Sequence, residues 1–359
     1  MSVCDVSIHL LPEFGWSMSN QLVYGPGSVF EGSFVKLNLT QSVQIERIRL
    51  AFHASEAIPY FEVGPGLIRA TKKAIFGVQS YLWECKNQCT LFDQPEYNYP
   101  FIIQIPLIQF PPSFKHEVYV VQYQLIAIVD MRDRGRIQTS IPLRYMPFIE
   151  TNLLKSPALI TEKRNDLEAN LRLIANKFLP GDKVNIHLSV NNISKRKGPH
   201  FITVNIKMKQ VLHISAFDDI PDSTTVVAST STKLLLIETE QAHHYKSEAT
   251  LSLPLSDEMT PTLDYGNLSS ISYYLDVNIE KGGKLGGILN YKLQLKDIPI
   301  TIGTLGNGIR SSDEINIYSD VENSTELAPK FLKAAEYEDA LPVYESSRLP
   351  SYEFVLEST

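Results

Sequence analysis

Cysteine and long apolar runs are scarce in this sequence, and their scarcity limits what the protein can be. The 359 residues include only three cysteines, too few for a disulfide framework, which indicates a reducing compartment. No stretch approaches the roughly 18 uninterrupted apolar residues of a membrane-spanning helix. The first residues, Met1 to Asp5, lack a basic segment followed by an apolar one, so the sequence predicts no signal peptide. We therefore expect a cytoplasmic protein.

The residue patterns of enzymes and metal sites are missing as well. Cys85 and Cys89 have ligand-like spacing, but no second Cys or His pair accompanies them, and we interpret them as loop cysteines. The pair His243-His244 lacks partners at ligand spacing. Gly282 to Gly287 is glycine-rich but joins two predicted strands, whereas a phosphate-binding loop needs a helix N-terminus. With no nucleophile elbow and no His-Glu-x-x-His motif, the sequence predicts no catalysis, metal or cofactor.

Negative charge is concentrated at the carboxyl end of the chain. The formal net charge is −7. Residues 311–359 hold eleven acidic and three basic side chains, a balance of −8, so the remainder carries +1. Such a segment favours solvation over packing, and we expect a disordered acidic tail over residues 306–359. Neither part has the basic character of a nucleic-acid-binding protein.

Strand patterns follow one another up to about residue 305. Val35–Leu39 and Val184–Val190 alternate apolar and polar residues, which is typical of half-buried strands. Val118–Val129 is a long β-branched and aromatic run, and a polar turn returns it to Ile137–Leu143 as a hairpin. No segment shows helical periodicity over three turns. The sequence therefore predicts an all-β fold of the sandwich type.

The strand pattern occurs twice, about 150 residues apart. Tyr24-Gly25-Pro26-Gly27-Ser28 leads into a strand in the first half, and Phe178-Leu179-Pro180-Gly181-Asp182 does so in the second. Each Pro-Gly pair predicts a type II turn. Further residues repeat in the same order: Pro106, Pro111 and Tyr123 in the first half, and Pro254, Pro261 and either Tyr273 or Tyr274 in the second. We predict two sandwiches of similar topology, over residues 1–152 and 153–305, with a linker near 149–158.

Two copies of a Leu-Pro-x-Tyr tetrad lie near the end of the chain, eight positions apart. They are Leu341-Pro342-Val343-Tyr344 and Leu349-Pro350-Ser351-Tyr352. Proline fixes φ near −65° and removes an N–H donor, so each tetrad favours the polyproline II conformation. A tyrosine two residues after the proline offers a ring to bury and a hydroxyl to hydrogen-bond. The aromatic grooves of WW domains bind such segments, so the tetrads are candidate WW-binding motifs.

With these features the sequence resembles the α-arrestins, also called arrestin-related trafficking adaptors, over nearly its whole length. The resemblance implies two tandem arrestin-like, immunoglobulin-like β-sandwiches. Family tails usually carry Pro-Pro-x-Tyr, and because leucine replaces the first proline here, we expect weaker binding per site. The residues that carry the resemblance are Tyr24-x-Pro-Gly, Tyr99-Pro100-Phe101, Ile105-Pro106, Pro111-Pro112-Ser113-Phe114, Phe178-x-Pro-Gly, Val190-Asn191-Asn192 and the two tetrads.

The resemblance also implies a function, which is recruitment. Family members bind the WW domains of a HECT-type ubiquitin ligase and bring it to membrane transporters or receptors, promoting their ubiquitination, endocytosis and sorting. We therefore expect a non-enzymatic adaptor in the cytoplasm, recruited through its cargo to the plasma membrane or endosomes. The alternative is an arrestin-like coat or sorting scaffold of the retromer type, in which the tail is incidental.

Two basic segments are further candidates for contacts. Lys195-Arg196-Lys197 is suited to anionic lipid headgroups or an acidic cargo tail, and the alternative is a solvated turn between strands. Lys330 and Lys333 precede the tetrads and are candidate ubiquitin acceptors, and the alternative is that they are ordinary lysines of the tail.

Overall fold

Two β-sandwiches follow one another along the chain, so the predicted all-β class is confirmed. The structure is a computed structural model and describes residues 4–11, 16–18, 21–64, 67–85, 91–132, 134–151, 158–194, 200–281, 291–321 and 327–333. Within these residues, none of the helices is long and apolar enough to cross a membrane. Residues 152–157 of the predicted linker lie outside the described part.

The first sandwich packs a sheet around β4 against a second sheet around β5. Its strands are β1 (Cys4–His9), β2 (Trp16–Met18), β3 (Gln21–Val23), β4 (Val29–Leu39), β5 (Val43–Gly64), β6 (Leu67–Glu84), β7 (Leu91–Phe92), β8 (Glu96–Gln104), β9 (Ile108–Gln109), β10 (Phe114–Lys115), β11 (Val120–Met131) and β12 (Gly135–Leu143). One sheet contains β1, β4 and β8, and the other contains β6, β5, β11 and β12. The apolar residues of each alternating strand face inward, and Leu37, Leu50 and Leu125 are fully buried between the sheets.

The second sandwich is one nine-stranded sheet folded over on itself. Its strands are β13 (Ala158–Arg164), β14 (Leu167–Leu173), β15 (Lys177–Phe178), β16 (Lys183–Ile193), β17 (His200–Ile214), β18 (Ser223–Glu238), β19 (His244–Pro254), β20 (Ser269–Lys281) and β21 (Tyr291–Ile302). Their order is β13-β14-β16-β19-β18-β17-β20-β21-β15. The fold line lies between β18 and β19, which pair at only two positions. Because of this fold, β13 and β14 pack against β21.

Both predicted Pro-Gly turns are present and match each other. Gly27 has a φ of +75° and Gly181 a φ of +84°, as the third residue of a type II turn requires. The Ser28 N–H donates to the Gly25 carbonyl at 3.1 Å, and the Asp182 N–H donates to the Leu179 carbonyl at 3.1 Å. Each turn leads directly into a long strand, β4 or β16.

Each sandwich also has a buried tyrosine whose hydroxyl donates a hydrogen bond to a backbone carbonyl beside a proline. The Tyr123 hydroxyl on β11 donates to the Pro111 carbonyl at 2.7 Å. On β20, the Tyr273 hydroxyl donates to the carbonyl of Thr260, the residue before Pro261, at 2.6 Å. Tyr273 is buried whereas Tyr274 is only half-buried, so Tyr273 is the counterpart of Tyr123. The predicted repeat therefore extends to individual hydrogen bonds.

Part of the predicted disordered tail instead packs on the first sandwich. We name residues 306–321 and 327–333 the strap; they contain β22 (Asn316–Ile317), α1 (Tyr318–Val321) and β23 (Lys330–Leu332). β22 pairs in parallel with β9, and β23 pairs antiparallel with β8. The prediction of disorder from residue 306 is wrong for the strap, because a few apolar side chains such as Tyr318 and Phe331 reach the core while their acidic neighbours stay outside.

Candidate functional site

The structure describes only some of the candidate site residues. Both Leu-Pro-x-Tyr tetrads lie outside the described residues, and so does Lys195-Arg196-Lys197. Lys330 and Lys333 are described and exposed. The described part of the candidate site is therefore the strap, which precedes the tetrads in the sequence, together with β16 and β17, the strands before and after Lys195-Arg196-Lys197.

The strap begins at the point where the two sandwiches meet. The Ser311 N–H and hydroxyl both donate to Oε1 of Glu150, at 2.9 and 3.0 Å. Five residues on, the Asn316 N–H donates to the Leu107 carbonyl at 3.0 Å. These bonds join the strap to the segment between the sandwiches and to the first sandwich.

Tyr318 is the main apolar anchor of the strap. Its side chain is 1% exposed, and its ring meets the Phe110 ring edge-on at 5.6 Å. It also lies near Tyr119, whose hydroxyl donates to Oε2 of the buried Glu56 at 3.0 Å. Burial first, and then the negative charge of Glu56, raise the pKa of Tyr119. Tyr119 therefore stays a neutral hydrogen-bond donor to Glu56.

The same region joins the two sandwiches to each other. The Tyr265 hydroxyl of the second sandwich donates to the Phe110 carbonyl at 3.4 Å. The Thr304 hydroxyl donates to the Pro147 carbonyl at 2.5 Å and accepts from the Ile149 N–H at 2.8 Å. Tyr318 thus packs on Phe110, a residue of the first sandwich that also accepts a hydrogen bond from the second.

A second contact between the sandwiches lies on the surface. Arg69 of β6 donates from Nη2 to Oδ2 of Asp219 at 2.7 Å, and its guanidinium also lies 5.5 Å from the Phe217 ring centre. The hydrogen bond and charge of Asp219 raise the pKa of Arg69, so the pair stays ionised.

The second sandwich exposes several apolar side chains on β16, β17 and β18. We name Ile193, Phe201, Leu235 and Ile237 the distal patch; their exposures are 47, 45, 46 and 68%. Phe201 lies opposite Leu235 in the register of β17 and β18, and Lys233 Nζ is 4.6 Å from the Phe201 ring centre. This patch was not predicted from the sequence, although Phe201 at an outward position of its alternating strand is a signal for it.

A charged cluster on the first sandwich was also missed. Asp130 lies within 3.0 Å of Arg47, 2.8 Å of Arg49 and 2.7 Å of Arg136. Burial alone would raise the pKa of Asp130, but the hydrogen bond from Arg136 and the charges of the three arginines lower it. The cluster ties β5 to the β11–β12 hairpin. From the sequence, Asp130 and Arg136 were predicted only to form a polar turn, because the arginines of β5 that complete the cluster lie about eighty positions away.

No group of three or more His, Cys, Asp or Glu side chains in the described ranges is arranged to hold a metal ion. A cleft of about 600 Å³ lies beside the segment between the sandwiches, lined by Thr151, Phe178, Lys183 and Asn307 among others. It mixes apolar and charged side chains.

Comparison with known proteins finds a similarity over the second sandwich. Residues 163–307 match the family model described as "Arrestin (or S-antigen), C-terminal domain". The match runs from within β13 to five residues beyond β21. A search of curated proteins gives no match to the chain.

Proposed function

The chain has the arrestin fold, and from that premise we propose that it links a WW-domain HECT-type ubiquitin ligase to membrane transporters or receptors. The match of the second sandwich to the arrestin C-terminal domain supports an adaptor or trafficking scaffold in general. The finer proposal adds the ligase, the cargo and the outcome, which is ubiquitination, endocytosis and sorting of the cargo.

The observation that carries this proposal is the pair of tetrads beyond the strap. Leu341–Tyr344 and Leu349–Tyr352 repeat the same spacing of proline and tyrosine within twelve residues. In this proposal the arrestin-like body binds the cargo, and the two copies of the WW-type motif bind the ligase. Two weak sites on one segment can together exceed either alone by about 10²–10⁴ when the partner has tandem domains.

We further propose that the second sandwich contributes to membrane contact, and that the protein works in the cytoplasm at the plasma membrane or endosomes. In the sequence, Lys195-Arg196-Lys197 falls between Ile193 and Phe201 of the distal patch. Cationic side chains beside exposed apolar ones suit an anionic membrane surface. Each basic residue near such a surface contributes about 1 kcal/mol, so replacing all three with alanine should weaken binding to phosphatidylserine vesicles about a hundredfold. Unchanged sedimentation with these vesicles would exclude the contact.

The decisive experiment for the adaptor function measures binding of the full chain to a recombinant ligase that carries tandem WW domains. We expect the double variant Tyr344→Ala and Tyr352→Ala to lose binding, since each substitution removes the ring and hydroxyl that a WW groove holds. The matched control is Tyr337→Ala, which removes a tail tyrosine outside both tetrads.

Two results would contradict the adaptor function. If the double variant binds the ligase as well as the wild type does, the tetrads are not the recruitment motif. If the control loses binding equally, the tail acts through its general composition. Stable co-purification with coat subunits after truncation at Lys333 would then favour the sorting scaffold.

A further inference from the structure

The strand β18 leaves one of its edges open along most of its length. On one side it pairs with β17 from Ser223 to Leu236. On the other side, its pairing within the described ranges is limited to Ile237 and Glu238, which join β19. The backbone N–H and C=O groups that point to this side between Ser223 and Leu236 therefore have no strand partner in the described part of the chain. An open edge of this kind is a template for a further strand.

This edge lacks the features that block pairing at other edges of the molecule. Proteins usually protect an edge strand with charged side chains or proline. Between Ser223 and Ile237, β18 has no proline, and Lys233 is its only charged residue. The strands β6, β12 and β13 also lie at sheet edges. Their charged and proline residues include Arg69, Lys72, Lys73 and Glu84 on β6, Arg136 and Pro142 on β12, and Glu162, Lys163 and Arg164 on β13.

The single lysine of β18 does not protect the edge. Lys233 Nζ lies 4.6 Å from the centre of the Phe201 ring. Because Phe201 belongs to β17, the lysine side chain leans away from the open side of β18. The register between β17 and β18 shifts at Val227, which leaves residues 228–236 as the regular part of the edge. Nine consecutive residues are therefore free to accept another strand.

We propose that this edge pairs antiparallel with the same edge of a second copy of the chain, forming a homodimer around a two-fold axis at Thr232. Thr232 is the midpoint of residues 228–236, so an axis there pairs the whole regular stretch with itself. A two-fold axis perpendicular to the sheet requires antiparallel strands, and both copies then use the same, self-complementary surface. The dimer does not depend on the ligase or cargo contacts proposed above.

The sequence of the edge is complementary to itself in this register. The leucines at positions 234–236 lie opposite the small residues 228–230 of the second copy, so large side chains meet small ones at both ends. Thr232 meets Thr232, and Lys233 meets Ser231, so no like charges lie directly opposite each other. An axis at Lys233 would instead place two lysines face to face, which is unfavourable. A foreign charged strand finds no second charge here to select it, which favours a second copy as the partner.

The dimer also places both distal patches on one side. The two-fold axis perpendicular to the sheet keeps the outward face of each copy on the same side of the joined sheet. Each Leu235 lies opposite Ser229 of the other copy, six positions along the strand from the other Leu235. The two Leu235 side chains are therefore roughly 20 Å apart on one face. Any contact of the distal patches with a surface becomes bivalent in the dimer.

Sedimentation velocity of the full chain tests the dimer. Nine paired residues make a small interface, so we expect dissociation at concentrations of roughly 1 to 100 μM. At the upper end, the species should have twice the 40.5 kDa mass of one chain. A wild-type chain that remains monomeric throughout this range would overturn the inference.

Substitutions at Ser231 test the register. Ser231 is exposed, and circular dichroism confirms that each variant is folded. Ser231→Lys places a lysine opposite Lys233 of the second copy at two symmetric positions, and it should raise the dimer Kd about tenfold. Ser231→Glu places a carboxylate there and should lower the Kd by a similar factor. The matched control is Ser140→Lys, an exposed serine of the edge strand β12, which should leave the Kd unchanged.

The outcomes separate this interface from other ways of associating. If Ser140→Lys weakens the dimer as much as Ser231→Lys does, or if Ser231→Glu also weakens it, the copies do not pair through β18 in this register. About 1 M salt screens exposed charges, so it should bring the Kd values of the two Ser231 variants together; a difference that persists would contradict the charge pairing. Because these measurements use the purified chain without ligase, their failure leaves the adaptor function standing.

Discussion

Replacing Tyr273 with phenylalanine should destabilise the second sandwich, because the buried carbonyl of Thr260 loses its hydrogen-bond donor. The Tyr273 hydroxyl donates to the Thr260 carbonyl at 2.6 Å and accepts from Gln210 Nε2 at 2.6 Å. Phenylalanine keeps the ring but leaves the Thr260 carbonyl without this donor. A buried group left unsatisfied costs about 1–3 kcal/mol. Gln210 is half-buried, so its amide can turn to water and adds little.

The equivalent change in the first sandwich is Tyr123→Phe. The Tyr123 hydroxyl donates to the Pro111 carbonyl, and the ring stacks on Tyr145 with centres 4.9 Å apart. We expect the same cost of about 1–3 kcal/mol, but in the other sandwich. The control is Tyr274→Phe, at a half-buried position on the opposite face of β20, which should change stability by about 0.5 kcal/mol or less.

Urea denaturation can separate the two sandwiches by its optical signals. Trp83 lies on β6 of the first sandwich and packs on Phe92, and residues 153–305 contain no tryptophan, so tryptophan fluorescence follows the first sandwich while circular dichroism follows both. With a slope of about 1–3 kcal/mol per molar urea, a loss of 2 kcal/mol moves a midpoint by roughly 1 M. Tyr123→Phe should move the fluorescence midpoint, and Tyr273→Phe should move the dichroism transition. The reasoning fails if neither midpoint moves, or if Tyr274→Phe costs as much as Tyr273→Phe.

Three further predictions concern pH and backbone strain. Burial raises the pKa of Tyr24 and of Tyr99 to about 12, above the value near 10 of an unfolded chain. The contribution of these two tyrosines to stability should therefore be fully present below pH 10 and fall as the pH rises toward 12. Unfolding measured at stepped alkaline pH will show this loss. Because the arginines lower the pKa of Asp130, its contribution is present above the ordinary carboxyl pKa and is lost as pH falls through the lowered value. Asp130→Asn should therefore cost about 1–2 kcal/mol at neutral pH and almost nothing in acid; an equal cost at both would refute this. Gly181→Ala should lower the free energy of unfolding by about 1–2 kcal/mol from its positive φ alone, and by more because the new Cβ meets the Asp257 carboxylate. Gly135→Ala, at φ +77° in open space, should show only the cost of the positive φ. Thermal melts of both variants compare the two costs.

The strands and turns could be predicted because their causes are local. The turns at Gly27 and Gly181 depend only on the proline before each glycine and on the glycine's ability to adopt a positive φ. The alternation in Val35–Leu39 and Val184–Val190 directly encodes one buried face. The repeat was also readable, because tandem copies preserve the order of such local signals.

The strap could not be predicted, because its anchors are sparse and their partners are far away in sequence. The acidic composition of residues 311–359 describes most of that segment, but Tyr318 packs on Phe110, more than two hundred positions earlier. The cluster around Asp130 was missed for a similar reason, since Arg49 and Asp130 are 81 positions apart. Nothing in the described residues tests the role of the tetrads, which stays a prediction.

Because β23 comes late in the chain, the first sheet of the first sandwich can be completed only near the end of synthesis. On the outer edge of β8, Ile102, Ile103 and Gln104 acquire their partners only when residues 330–332 have been made, more than two hundred positions later. During synthesis from the amino end, the first sandwich therefore emerges with an open edge, and it keeps that edge while the whole second sandwich is made. An open strand edge is a template for pairing with other chains. A chain that stops before Lys330 should thus be prone to self-association even though both sandwiches are present.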